Sequence, residues 1–291
     1  DKFKEFLEQF DSVWVKAIKE QKLKKQYVNL KTYFNNNQVN NRDLAKVIKQ
    51  VEEAIRKLPL SSVTPLGVFA ASITGNPHYF DYKPEEGLNK GLLFCYGLLY
   101  KTEKSINPSK GSRVRYNLFR KVNLKFNTTS SGVYHYNLKG ISNNEVYSPW
   151  KVYNENNEYN FTTLEQLEKI DKIELPKKYS KVYAFENPNV FSEVKRRTGE
   201  VPLLCVRGKR SLAVQEFIYQ LLISNDDITI YYSGDFDIAG LEIADNLKQE
   251  FGSKVKLWTF TKSIYNQFRT GSTEEIEEQD KLFYDDHLTD L

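Results

Sequence analysis

The amino-acid sequence predicts an α/β protein, because strand-like and helix-like patterns alternate over its last third. Four short apolar runs follow residue 180, namely KVYAF, PLLCV, ITIYY and VKLWTF, and segments with helical spacing separate them. Such alternation with short links is typical of a mainly parallel sheet with helices on both faces. We therefore predict a four-stranded, mainly parallel sheet in residues 176–291. A mostly helical or mixed α+β region in residues 1–175 precedes it.

The first half of that N-terminal region has helical spacing. Apolar residues from Phe3 to Ile18 recur every three or four positions and predict one amphipathic helix, and a second helix is predicted near 43–58. Two further apolar segments, near 65–74 and 88–100, are joined by the turn ITGNPHYFDY.

The second half of the N-terminal region changes character. From about 113 to 153, short aromatic and β-branched runs predict strands or irregular β structure. The segment FTTLEQLEKI then predicts a short helix with a capping box formed by Thr163 and Gln166. The segment ELPKKYS is interpreted as a linker to the predicted sheet.

Polar residues follow three of the four predicted strands. Glu186 ends the first run, the turn RGKR follows the second, and Asp235 and Asp237 follow the third. Ser211, after that turn, is a natural N-cap for the next helix. Ligands of parallel sheets bind outside the carboxyl ends of the strands, where all these residues are predicted to meet.

The two aspartates predict a metal site or a helix cap. Asp235 and Asp237 point the same way in an extended chain, and close carboxylates repel unless a cation neutralises them. Mg²⁺ or Mn²⁺ with oxygen ligands is such a cation, and Glu186 could add a ligand or act as a general acid or base. Gly234 and Gly240 would permit close approach of backbone or phosphate. Alternatively, Asp237 simply caps the following helix.

Other motif interpretations fit less well. The run DFDIAG partly matches a calcium loop but fails at Ala239 and Asn246. The segment GKRS resembles the end of a P-loop, but Leu203 stands where that motif needs glycine. Phosphotransferases of the haloacid dehalogenase type place their D-x-D after the first strand of the domain, not the third.

A glutamate after the first strand and D-x-D-x-x-G after the third resemble the Toprim domain of topoisomerases, primases and OLD-type nucleases. The longer stretches YAFENPNVF, PLLCVRGKRS and YYSGDFDIAGLEIA resemble the C-terminal domain of the JetD-type nuclease subunits of Wadjet plasmid-defence systems. The turn ITGNPHYFDY resembles a G-x-P-H-x-x-D turn in one branch of that family.

The resemblance implies a function. It makes Glu186, Asp235 and Asp237 the metal-dependent catalytic acids of an endonuclease that requires Mg²⁺ or Mn²⁺. The implied substrate is double-stranded plasmid DNA presented by an SMC-like condensin complex of the JetABC type, and the implied assembly is a homodimer. Two alternatives remain: a non-catalytic DNA-binding or assembly subunit, and a topoisomerase-like enzyme with a tyrosine nucleophile. A small-molecule phosphatase is a more remote reading.

Charge suggests where DNA would bind. Net charge is only +4, but residues 101–125 hold eight Lys/Arg against one Glu, and residues 274–290 hold eight Asp/Glu against one Lys. A solvated face is one reading of the basic stretch, and contact with the DNA backbone is the other. The predicted DNA-contacting residues are Arg207, Lys209 and Arg210 near the scissile phosphate, and Arg113, Arg115, Arg120 and Lys121 in the basic stretch. His78 and Asp81 are interpreted either as turn hydrogen-bonders or as a further site.

Cysteine and hydropathy patterns limit the cellular setting. Cys95 and Cys205 lie in apolar runs, which predicts reduced core thiols. These two cysteines and the three histidines form no zinc pattern. The reduced thiols lead us to expect a cytoplasmic protein. The apolar run LLFCYGLLY is too short to cross a bilayer, so we expect no membrane association.

Overall fold

A computed structural model describes residues 1–19, 24–36, 41–83, 88–101, 108, 111–125, 130–207, 211–260 and 263–264. The chain forms two compact units, Asp1–Phe126 and Asn127–Leu291. No helix within the described ranges is long and apolar enough to cross a membrane. Both cysteines are free and buried, as predicted.

Helices dominate the first unit. They are α1 (Lys2–Leu7), α2 (Val13–Lys19), α3 (Lys24–Asn36), α4 (Asn41–Arg56), α5 (Leu66–Thr74), α6 (Lys90–Lys101) and α7 (Ser112–Arg120). Two short strands, β1 (Thr64–Pro65) and β2 (Leu124–Lys125), pair in parallel. Stacked rings fill the core, with Phe94 lying 4.4 Å from Phe80 and 5.8 Å from Phe119 between ring centroids.

The predicted helix from Phe3 to Ile18 is in fact two helices. α1 ends at Leu7 and α2 begins at Val13. The break lets the Phe10 ring turn onto Phe6, at 5.4 Å, while the carbonyl of buried Ser12 accepts the amide of Lys16 as the second helix begins. Apolar spacing continues across the break, so periodicity alone did not reveal it.

The prediction of β structure over 113–153 is wrong at both ends. Residues 112–120 form α7, and residues 148–155 form the helix α8 (Ser148–Glu155). In α7, buried Tyr116 and Phe119 are three positions apart and share one helical face. Aromatic residues favour strands locally, but packing on a helical face decides here.

The second unit mixes strands and helices. After β3 (Gly132–Tyr136), β4 (Lys139–Ser142), β5 (Glu145–Val146) and α8 come β6 (Asn160–Thr163), α9 (Leu164–Leu167), β7 (Lys172–Glu174), β8 (Lys181–Phe185), α10 (Pro188–Thr198), β9 (Leu203–Cys205), α11 (Leu212–Ile223), β10 (Thr229–Ser233), α12 (Ile238–Phe251) and β11 (Val255–Leu257). The predicted capping box of Thr163 and Gln166 begins α9, and Ser211 caps α11.

The main sheet has six strands in the order β11-β10-β8-β9-β3-β6. The four predicted strands, β8 to β11, are mutually parallel, whereas β3 and β6 extend the sheet in antiparallel fashion beside β9. A small antiparallel sheet has the order β5-β4-β7. We predict a boundary between 175 and 176, whereas the division of the chain into compact units falls between 126 and 127. Within the second unit β3 pairs with the later strand β9, and β6 pairs with β3.

Helices cover both faces of the parallel strands. Phe191 of α10 packs with Phe185, Leu203 and Cys205 on one face. On the other face, Phe217 of α11 lies 4.9 Å from His135, which pairs with Leu204 in the sheet. A mixed α/β fold with a mostly parallel sheet is thereby confirmed.

Candidate acidic active site

Glu186 and the two aspartates meet at one edge of the sheet. Glu186 follows β8 and Asp235 follows β10, and these neighbouring strands are held in register by Ser233 opposite Phe185. The amide of Glu186 donates to the Ser233 carbonyl over 3.1 Å. The chain leaves β8 toward β9 on one side and leaves β10 toward β11 on the other. Connections that diverge in this way open a crevice at the carboxyl ends of the strands.

The carboxylate of Glu186 is buried and held by the loop that carries the aspartates. Its Oε2 accepts the backbone N–H of Asp235 over 3.1 Å, and the hydroxyl of Tyr232 lies 3.5 Å away. Burial raises the pKa of Glu186 and the negative charges of Asp235 and Asp237 raise it further, while the Asp235 amide and Tyr232 hydroxyl oppose the rise. The charged neighbours that act on this pKa are therefore both acids.

Two glycines let the loop close around Glu186. A Cβ atom on Gly234 would lie 2.5 Å from the Tyr232 hydroxyl oxygen and 2.8 Å from Oε2 of Glu186. A Cβ atom on Gly240 would lie 2.0 Å from the Asp235 carbonyl oxygen. At Gly240 the neighbouring atom belongs to the backbone, so close approach of the chain requires glycine there, as predicted. At Gly234 the neighbouring atoms are the ends of the Tyr232 and Glu186 side chains.

The aromatic residue between the aspartates sets their direction. The ring of Phe236 stacks on buried Phe260 at 4.7 Å with an interplanar angle of 9°. Asp235 and Asp237, on either side of it, are exposed. With Phe236 anchored on Phe260, the two carboxylates that flank it are left at the surface.

Asp237 is a helix cap. Its Oδ1 accepts the amide of Gly240 over 2.7 Å and begins α12. This bears out the capping alternative. The other carboxylate oxygen of Asp237, Oδ2, takes no part in this capping hydrogen bond.

The three acids fit a divalent cation by chemistry, but they are not assembled as a ligand set. Within the described ranges, no group of three or more His, Cys, Asp or Glu residues is placed to hold a metal ion. Carboxylate oxygens are the donors that Mg²⁺ and Mn²⁺ prefer. The like charges that raise the pKa of Glu186 are those a cation would offset.

The predicted cationic residues are distributed over both units. Arg207 follows β9 at the same sheet edge, with φ of 51° and its guanidinium 5.4 Å from the centre of the Tyr134 ring. Lys209 and Arg210 lie outside the described residues. In the first unit, Arg113, Arg115 and Arg120 lie on α7 and Lys121 is its C-cap. Their contact with DNA stays a prediction.

Arg115 has a structural role in that helix. Its guanidinium lies 3.8 Å from the centre of the Tyr82 ring, and Nη1 donates to the Pro108 carbonyl over 3.0 Å. Partial burial lowers the pKa of Arg115. Arg120 lies over Tyr116 at 5.4 Å.

His78 and Asp81 form a closed turn in the first unit. Nδ1 of His78 lies 2.8 Å from Oδ2 of Asp81, and the His78 amide donates to Oδ1 of Asn76 over 2.9 Å. Gly75, with φ of 75°, ends α5 just before this turn. These bonds are those of the turn hydrogen-bonding role.

The sequence interpretation missed the groups that support Glu186. Tyr232 is fully buried, and Phe236 and Phe260 anchor the acidic loop. An aromatic residue between two acids is a usable signal for alternation in and out of the core. The contact with Phe260 joins residues far apart in the chain, so no local pattern indicated it.

Two known families match most of the chain. Residues 14–140 match the family described as "Protein of unknown function N-terminus (DUF3323)". Residues 161–291 match the family described as "Protein of unknown function C-terminus (DUF2399)". Neither description states a function. No curated protein matches the chain.

Proposed function

We propose that this protein is a metal-dependent endodeoxyribonuclease with a Toprim-type catalytic domain. In this proposal it is the JetD-type nuclease subunit of a Wadjet plasmid-defence system. It acts as a homodimer in the cytoplasm on double-stranded plasmid DNA that an SMC-like condensin complex presents. The observation that carries the proposal is the hydrogen bond from the Asp235 amide to buried Glu186, at the point where the strand connections diverge.

The strand order and the surrounding helices support a phosphate ligand at this edge. α10 begins directly after Glu186, with Asn187 as its N-cap, and α12 begins directly after the acidic loop, with Asp237 as its N-cap. Helix N-termini carry partial positive charge and attract phosphate. Two such termini beside three carboxylates suit a phosphodiester that is bound together with a cation.

Each acid has a distinct task in the proposal. Glu186, Asp235 and Asp237 would hold Mg²⁺ or Mn²⁺, and the bound ion would supply charge stabilisation for the phosphodiester. Asp235 also fixes Glu186 through its backbone, while Asp237 positions the first turn of α12. Arg207, Lys209 and Arg210 would bind the DNA backbone near the cut.

The test uses supercoiled plasmid and purified protein with Mn²⁺, and with EDTA as the metal-free control. Glu186→Gln and Asp235→Asn should each lower the cleavage rate by about 100-fold or more. Asp227→Asn is the matched control, because exposed Asp227 precedes β10 at the opposite edge of the sheet. Equal cleavage by the parent and both site variants would refute the assignment. If the parent protein is inactive without partners, all variants are tested again with the condensin complex present.

A second candidate is a non-catalytic DNA-binding or assembly subunit. The observation in its favour is that the described acids are not arranged as a three-residue metal cluster. DNA binding without cleavage, with Mn²⁺ and all partners present, would identify this function. The topoisomerase-like alternative requires a tyrosine that forms a covalent adduct with DNA, and a trapped adduct would identify it. Tyr232, whose hydroxyl lies 3.5 Å from Oε2 of Glu186, is fully buried.

A further inference from the structure

Three contacting aromatic side chains, half-buried Tyr134 and exposed Tyr159 and Phe161, lie on the sheet near the acidic edge. We name Tyr134, Tyr159 and Phe161 the aromatic strip. The Tyr134 ring lies 4.7 Å from Phe161 and 5.7 Å from Tyr159 between centroids. Tyr159 is 43% exposed and Phe161 is 40% exposed. Exposed aromatic clusters of this kind mark binding surfaces more often than isolated exposed rings do.

Strand register places this strip in line with the acidic edge. Ser233, Phe185, Cys205, Tyr134 and Phe161 are successive partners across five neighbouring strands. Because strands are about 4.8 Å apart, Phe161 lies about 14 Å from the end of β8, where Glu186 follows.

The Phe161 ring is held flat against the sheet. A Cβ atom on Gly132 would lie 2.3 Å from Cζ of Phe161, so the absence of a side chain at Gly132 makes room for one face of the ring. Covering a glycine on the neighbouring strand is a structural role. It also leaves the ring pre-positioned, with an exposed outer surface.

Two cationic side chains lie near the strip. The guanidinium of Arg207, a residue that follows β9, lies 5.4 Å from the centre of the Tyr134 ring. Nζ of Lys195 donates to the carbonyl of Asn157, two residues before Tyr159, over 2.6 Å, and lies 5.0 Å from the centre of the Tyr136 ring. Aromatic faces near cations suit single-stranded nucleic acid, because bases stack on the rings while phosphates meet the charges.

We propose that the aromatic strip binds unpaired nucleobases of the DNA strand that the acidic edge cleaves. The proposal rests on the proposed nuclease function, since it assigns a locally unpaired segment to that substrate. Paired bases in a duplex are stacked on one another and do not offer their faces to a flat surface. The strip therefore selects DNA that is locally unwound or distorted near the cut.

The experiment measures binding of fluorescently labelled oligo(dT) to the full chain by anisotropy in EDTA. Without metal, cleavage plays no part, so a failed nuclease proposal and a failed strip proposal give separate results. Phe161→Ala should weaken oligo(dT) binding at least about fivefold. Phe161→Tyr should bind oligo(dT) like the parent, because it keeps an aromatic ring at this position. Affinity for a blunt duplex should change less than twofold in either variant.

Matched variants distinguish stacking from a folding defect. Tyr159→Ala should also weaken oligo(dT) binding, whereas Tyr153→Ala should not, although Tyr153 on α8 is 44% exposed. If circular dichroism shows that Phe161→Ala is unfolded, Tyr159→Ala decides. Absence of oligo(dT) binding by the parent, or equal binding by all variants, overturns the proposal. If Phe161→Ala or Tyr159→Ala has a smaller mass than the parent by light scattering but binds oligo(dT) equally well, the strip is an interface between copies of the chain. That result also overturns the proposal.

Discussion

The turn around His78 and the sheet edge around Glu186 both bring polar side chains together, but they balance charge differently. In the turn, the imidazole of His78 lies against the carboxylate of Asp81, and Asn76 accepts the His78 amide. At the edge, buried Glu186 has two further acids as its charged neighbours. A group whose polar atoms are satisfied inside its own turn needs no ligand. Like charges around a buried carboxylate call for a cation, so the sign of the neighbours indicates function better than proximity does.

Glycine substitutions in the two regions should lower the free energy of unfolding by different amounts, and asparagine should recover part of the loss in only one of them. Gly240→Ala places a methyl group 2.0 Å from the Asp235 carbonyl oxygen and should lower the free energy of unfolding by about 1–3 kcal/mol. At Gly75 no described atom lies within 4 Å of the added Cβ, but φ is 75°, so Gly75→Ala should cost about 1–2 kcal/mol.

Asparagine separates the two causes. Gly75→Asn should recover part of the loss, since asparagine tolerates the left-handed region, whereas Gly240→Asn should not. Urea unfolding of the four variants measures this. Rescue at position 240 would show that backbone conformation, not close approach, is the constraint there.

His135 extends the comparison to a polar group buried without a charged partner. It lies 4.1 Å from Trp150 between ring centroids, its Nε2 meets Thr162 Oγ1 at 2.9 Å, and burial lowers its pKa to about 3. The unfolded chain takes up this proton near pH 6.5, so the stabilisation is complete above that pH and falls as pH drops toward 3. Between pH 7 and pH 5 the loss should be about 2 kcal/mol.

The control for this pH effect is His135→Phe. It keeps an aromatic ring beside Trp150 and removes the titrating group. Urea unfolding across this pH range should show a shallower slope for the variant. Parallel slopes for parent and variant would mean that His135 titrates alike in the folded and unfolded chain.

Asp237 tests whether capping and charge can be separated at the edge. Asp237→Ala should destabilise α12 by about 1 kcal/mol, while Asp237→Ser should keep the cap and most of the stability. If the carboxylate serves the proposed nuclease, both variants lose plasmid cleavage. Full activity in Asp237→Ser would make Asp237 a cap alone, and leave Glu186 and Asp235 as the functional pair.

The smallest effect is expected at the turn. Asp81→Asn removes the charge that faces His78, and an exposed pair of this kind contributes below about 1 kcal/mol. Thermal unfolding and plasmid cleavage should both stay close to the parent. A loss of cleavage comparable to that of Glu186→Gln would break the comparison and make this turn part of the active machinery.

The parallel half of the fold was predictable because its signals are local. Strands β8 to β11 are separate apolar runs, and Glu186, Asp235 and Asp237 follow strands whose carboxyl ends share an edge. The caps at Thr163 and Ser211 are likewise local patterns.

Long-range pairings were not predictable from these patterns. The insertion of β3 beside β9 joins Tyr134 to Cys205, and neither residue type indicates the other. The sequence predicts that Asp235 and Glu186 lie at the same sheet edge. It does not predict that the backbone amide of Asp235 donates to Glu186, because this bond depends on the conformation of the loop. The division of α1 from α2 was hidden because apolar spacing persists across the break.

The position of β3 in the main sheet links the two segments that match different families. β3 lies within the N-terminal family match, yet it stands between β9 and β6, whose residues fall in or beside the C-terminal match. A fragment starting at residue 176 would leave the backbone groups of β9 bare and open to pairing with other chains. The two matched segments together supply the strands of one sheet. A gene rearrangement that separated the N-terminal segment from the C-terminal one would therefore remove β3 from this sheet.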